Sequence, residues 1–136
     1  MTPEQQTCAR ECLDAAFANS MSFPAIVGRL MDAGFESYAV DFRRSTAVYY
    51  LPSGDNIEFP LASDGEVVST YFHTVGLKAA IKEAQDEASG YTYNGFCQKV
   101  KAAGCAGYLV SFLGHRAVYF GRTGETHIEP FPMTNG

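Results

Sequence analysis

One pattern is written twice in this chain, and it constrains the fold more than any other feature. Ala33-Gly34, Tyr38, Val40, Phe42, Ala47-Val48-Tyr49, Gly54 and Pro60 return seventy positions later as Ala103-Gly104, Tyr108, Val110, Phe112, Ala117-Val118-Tyr119, Gly124 and Pro130. Those are ten identities over the 38 ungapped positions from Phe23 to Pro60. Each copy opens with a helical stripe. In the first it is Phe23, Ile26, Val27, Leu30 and Met31 after a Ser22 N-cap, and in the second Tyr93, Phe96, Cys97 and Val100 after Thr92. Both helices are expected to stop at Ala-Gly, where Gly34 and Gly104 suit the left-handed position after the last turn.

The period then changes from 3.6 to 2. Tyr38, Val40 and Phe42, like Tyr108, Val110 and Phe112, alternate with a second set of side chains and predict strands. Arg44-Ser45 and Gly114-His115 are hairpin-sized gaps, with Gly114 the better turn residue, and Thr46–Leu51 and Arg116–Gly121 are the return strands. Third strands follow at about Asn56–Phe59 and Thr126–Glu129, closed by Pro60, Pro130 and Pro132, which lack an N–H for the ladder.

Two copies are too few for a solenoid. The expectation is a single α+β domain over residues 1–136 with an internal duplication, 23–60 repeated at 93–130. Each half reads helix-helix-strand-strand-strand, and the two pseudo-symmetric halves close one core over an antiparallel sheet. The first helix of the first half is Thr2 to about Asn19, opened by the capping box of Thr2-Pro3-Glu4-Gln5. That of the second half is Thr74 to about Ala88, with Leu77, Ala80, Ile81 and Ala84 on its inner face and Ser89-Gly90 as its stop. Between the halves, Ala62 to Glu66, with Ser63-Asp64-Gly65, is a turn-rich connector and Val67–Phe72 a short strand; residues 133–136 are expected to fray.

Composition narrows the function classes. A net charge of −5 with only ten basic residues argues against nucleic acid, whose phosphates need a basic face. No stretch approaches the about twenty apolar residues of a membrane span, and the start lacks a signal-peptide pattern, so a cytoplasmic protein without a membrane partner is expected. Cys8, Cys12, Cys97 and Cys105 form no Cys-x-x-Cys pair; Cys8 and Cys12, one helical turn apart, read as small apolar residues on a buried face. No P-loop, nucleophile elbow, dinucleotide fingerprint or zinc-protease motif is present, and no cofactor or metal is implied.

The residues with most chemistry lie at the end of the second repeat. His127 and Glu129 are two apart on a predicted strand and so share a face, with Arg122 and Gly124 upstream. An imidazole beside a carboxylate can do acid–base work or, with Asp41 or His115 as a third ligand, hold a metal. The plainer reading, and the favoured one, is an exposed strand face with a salt bridge to Arg122. Offset by seventy, His127 matches Ile57, Glu129 matches Phe59, Arg122 matches Pro52 and Asp41 matches Ser111. Positions that differ this way are not dictated by a shared packing problem. A ligand is therefore expected near the third strand, held by His127, Glu129 and Arg122, with Tyr49 or Tyr50 walling the pocket and Asp41 serving one half only or facing solvent.

Ser22-Phe23-Pro24, Ala33-Gly34, Tyr38-x-Val40-Asp41, Tyr49-Tyr50, Ala102-Ala103-Gly104, Gly107-Tyr108, Tyr119-Phe120-Gly121-Arg122-x-Gly124 and His127-x-Glu129-Pro130-Phe131-Pro132 together resemble the YbcV-like small bacterial and prophage proteins. These form a domain-of-unknown-function family often labelled "phage envelope protein". The resemblance spans about residues 20 to 132, and its closing motif is the most specific part. It implies a compact α+β domain of bacterial or prophage origin and no activity, so it assigns no role to any residue. The expected function is a non-enzymatic module binding a small molecule or a protein, with a homodimer as one form. The alternatives are a self-assembling structural protein and an enzyme using His127 and Glu129.

Overall fold

The computed structural model describes residues 1–62 and 65–131. Ser63 and Asp64 of the expected connector turn, Pro132 and the tail 133–136 lie outside the described residues. Ten elements follow in order: α1 (Pro3–Ala18), α2 (Phe23–Asp32), β1 (Ser37–Asp41), β2 (Thr46–Tyr50), β3 (Asn56–Pro60), α3 (Thr74–Gln85), α4 (Tyr93–Ala102), β4 (Cys105–Ser111), β5 (Arg116–Gly121) and β6 (Thr126–Pro130). This is helix-helix-strand-strand-strand twice. The strands make one antiparallel sheet in the order β3-β2-β1-β4-β5-β6.

The two halves meet at β1 and β4, where Ala39 lies opposite Leu109, its own equivalent seventy positions on. A pseudo-two-fold axis therefore passes through that pair, normal to the sheet. Tyr38 pairs with Tyr49 as Tyr108 pairs with Tyr119, and Tyr49 faces Ile57 as Tyr119 faces His127. The second half departs from this at a register shift between Cys105 and Gly107.

Local signals set most boundaries. Thr2 and Gln5 form the reciprocal capping box of α1, Ser22 caps α2 and Thr92 caps α4. Gly34 and Gly104 end α2 and α4 at φ of +100° and +91°. At 104 the choice of glycine is doubly fixed, since an ideal Cβ would overlap the Tyr71 carbonyl oxygen.

Four expectations change. Each hairpin gap is four residues, not two, because Phe42 and Phe112 lie beyond the last strand pair. The left-handed turn position falls on Ser45 (φ 55°) and His115 (φ 51°) rather than on Gly114. The helix after the connector stops at Gln85, where Glu87 turns left-handed (φ 48°) before Ser89-Gly90 is reached. Val67–Phe72 is not a strand. Its backbone is drawn to the carbonyls at the end of α4 instead: Ser69 N donates to Lys101 O at 3.1 Å and His73 N to Ala103 O at 2.7 Å.

Burial alternates from Tyr38 to Asp41, along β2 and β5, and from Tyr108 to Ser111. Tyr38, Val40, Ala47, Tyr49, Tyr108, Val110, Ala117 and Tyr119 point into a core completed by Leu13, Leu30, Leu77, Ile81, Phe96 and Val100 from the helices. Of the other set, Ser37 and Gly107 are buried and the rest half-buried or exposed. The helices thus cover one face of the sheet, and among the described residues no layer covers the other. No helix among these residues is long and apolar enough to cross a membrane.

Candidate functional site

Strand β6 sends Thr126, Ile128 and Pro130 to the open face and His127 and Glu129 toward the helices. The two come together: His127 Nε2 lies 2.9 Å from Glu129 Oε2, with side chains 14% and 28% exposed. Gln85 of α3 donates its Nε2 hydrogen to Glu129 Oε1 at 3.1 Å, and the His127 ring lies 6.4 Å from that of Tyr119, its cross-strand neighbour. Such an imidazole–carboxylate pair can pass a proton, and it also ties the edge strand to α3. The equivalent place in the first half is closed by Ile57 and Phe59, with the Arg10 guanidinium of α1 5.3 Å from the Phe59 ring. Both halves fasten their edge strand to their first helix, one through a cation–π contact and one through a carboxylate bridge.

Arg122 does not join this pair. Its Nη1 donates to Val68 O and to Thr70 Oγ1, each at 3.1 Å, and so ties the connector to the β5–β6 turn. Asp41 lies elsewhere too. Its Oδ1 accepts from Arg43 N at 2.9 Å and Arg44 N at 3.1 Å, capping the β1–β2 turn. Ser111 Oγ accepts from Gly114 N at 3.0 Å in the other half. The Asp41/Ser111 difference is thus two short acceptors performing one local task. His115 occupies the left-handed position of the β4–β5 turn.

Tyr49 and Tyr50 point to opposite faces. Tyr49 belongs to a buried row of rings across the sheet, stacked on Tyr38 at 5.4 Å; Tyr38 lies 6.2 Å from Tyr108, and Tyr108 5.2 Å from Tyr119. Burial raises the phenol pKa of all four. The Tyr93 hydroxyl bonds to that of Tyr108. Tyr50 lies on the open face.

Two surfaces were not anticipated. A shallow groove of about 410 Å³ runs between the connector, α3 and α4, walled by Tyr71 and His73 over Gly76, Ala79, Ala80 and Ala103. The larger surface is the open face of the sheet. Pairing places Val48, Ala39, Leu109, Val118 and Ile128 in one row across five adjacent strands, with Leu109 38% and Ile128 51% exposed. Tyr50 and Phe120, equivalents seventy apart, flank that row. The signal was present in Tyr108-Leu109-Val110 and Tyr119-Phe120: strands apolar on both faces are strands that expect cover on both. The sequence matches no family model and no curated protein.

Proposed function

We propose that this chain is a non-enzymatic binding module that holds a protein surface on the open face of its sheet. The carrying observation is the row Val48, Ala39, Leu109, Val118 and Ile128, apolar and uncovered among the described residues. Contiguous apolar patches on a protein surface mark interaction sites when they are large enough. The residues with catalytic chemistry have local work: Glu129 binds both His127 and Gln85, Asp41 caps a turn, and Arg122 holds the connector. The self-assembly alternative uses the same face. Four free, buried cysteines suit the reducing setting of a cytoplasmic protein.

A photo-crosslinking residue tests the reading. Placed at Leu109 in the expressed protein, it is expected to link another polypeptide on illumination; placed at Lys82, exposed on α3, it is not. Equal linking at both positions, or none at 109, overturns it. The groove gives the small-ligand reading a seat, since about 410 Å³ lies within the usual range of ligand pockets. In that case Ala79→Trp would abolish binding and Leu109→Lys would not.

A further inference from the structure

We infer that the occupant of the open sheet face is a second copy of this chain, packed face to face about a two-fold axis parallel to the strands. The inference rests on the binding-module reading above and names the partner.

The first argument is area. Six strands about 4.8 Å apart and five residues of about 3.3 Å each make a face roughly 29 Å by 17 Å, or about 500 Å² in projection before side-chain relief. Two such faces bury about 1,000 Å² together, the lower bound for a specific interface. Two sheets facing each other stack about 10 Å apart with their strands nearly aligned.

The second argument is charge. The chain carries −5 overall, so two copies bear like net charge. Of three outward positions on each of six strands, only Asp41, Glu58 and Arg116 are charged. Asp41 is occupied by its own turn, and Glu58 is paired with Arg44 at 3.5 Å. The low-charge centre is where two acidic copies can approach, and interface cores are depleted of charge in the same way.

The third argument fixes the axis. The pseudo-two-fold through Ala39 and Leu109 makes the face nearly the same after half a turn in its own plane: Val48 exchanges with Val118, and Tyr50 with Phe120. That near-symmetry leaves axes parallel and perpendicular to the strands almost equivalent for the backbone, so the side chains decide between them. An axis perpendicular to the strands would set Glu58 over Glu58 of the copy. An axis parallel to them sets Val48 over Val118, Ala39 over Leu109, and Arg116 over the Tyr50 ring, where a guanidinium is welcome.

The test is sedimentation of the whole chain at micromolar concentration, joined to directed cross-linking. Wild type is expected at twice 14.8 kDa, and Leu109→Lys and Val48→Lys, each at one monomer mass with an unchanged circular dichroism spectrum. A covalent dimer is expected when Val48→Cys and Val118→Cys proteins are mixed and treated with a short bismaleimide that spans the about 10 Å between sheets, and not when either is treated alone; the native thiols are buried. Self-linking of Val48→Cys, or a dimer that survives both lysine variants, overturns the proposal. A monomeric wild type whose crosslinker at 109 still captures a different protein overturns the dimer and leaves the binding module standing. A monomer whose probe at 109 links nothing, or only its own chain, overturns both.

Discussion

Individual side chains here show how burial suppresses chemistry. Cys12 and Cys105 are buried, and desolvation of the thiolate pushes each pKa up to about 12. Below that value both stay protonated and poorly nucleophilic. The native protein at pH 8 is therefore expected to show no fast reaction with an aromatic disulfide reagent, and four reactive thiols in denaturant. One fast thiol before unfolding would contradict this burial. The tyrosine row makes a second case. Tyr93 and Tyr108 satisfy each other's hydroxyls in the core. Tyr108→Phe keeps the ring contacts with Tyr38 and Tyr119 but strands the Tyr93 hydroxyl, at a cost of about 1–3 kcal/mol. A denaturation midpoint equal to wild type would mean that water already reaches the pair. The Asp41/Ser111 pair shows why sequence offsets mislead at this scale. They differ in charge, yet each accepts a backbone N–H within its own hairpin turn, and only the hydrogen bonds reveal it.

At the scale of elements, the helices and strands were legible because their signals are local. The capping box at Thr2, the caps at Ser22 and Thr92, and the Ala-Gly stops fix α1, α2 and α4 to within a residue or two. The connector was not legible. Val67–Phe72 has strand-like composition, but its backbone is claimed by the α4 terminus, a tertiary choice that no window of sequence contains. His127 and Glu129 were correctly placed on one face; that this face is the helix side, with Gln85 waiting, depends on how α3 lies over β6. The connector also separates two glycines that the repeat makes equivalent. At Gly34 an alanine meets left-handed strain, about 1–2 kcal/mol, and a side-chain neighbour, Gln5 Nε2, at 3.3 Å that can move aside. At Gly104 it meets the same strain and the rigid Tyr71 backbone. Gly104→Ala is expected to lower the melting temperature markedly more than Gly34→Ala. Equal losses would mean that the connector is not held against α4.

For the whole molecule, the central question is what joins the halves. They share one sheet through β1 and β4, and a core in which Tyr38 packs on Tyr108 and Phe112, and Phe17 of α1 on Tyr93 of α4 at 4.9 Å. Cutting the chain after residue 61 leaves β1 with an unpaired edge and an apolar face half covered, so residues 1–61 are not expected to fold as a monomer. A second copy of the same fragment can supply what is missing. In the intact chain Tyr38 lies opposite Val110 and Val40 opposite Tyr108; in a fragment dimer centred on Ala39, Tyr38 would lie opposite Val40 and Val40 opposite Tyr38. The side-chain types that meet are the same. Phe17 would find Phe23 in place of Tyr93, and Ile26 and Leu30 would stand where Phe96 and Val100 stand now. What is lost is the tether, which holds the second half at an effective concentration of about millimolar. The fragment should accordingly be unfolded when dilute and gain helix and strand signal together as its concentration rises, at twice the fragment mass by light scattering. A fragment that folds as a monomer would show that each half has a sufficient core. One that stays unfolded at every concentration would show that the pseudo-symmetry is one of backbone, and that the differences at Phe23/Tyr93, Ile26/Phe96 and Leu30/Val100 have made the halves complementary rather than interchangeable.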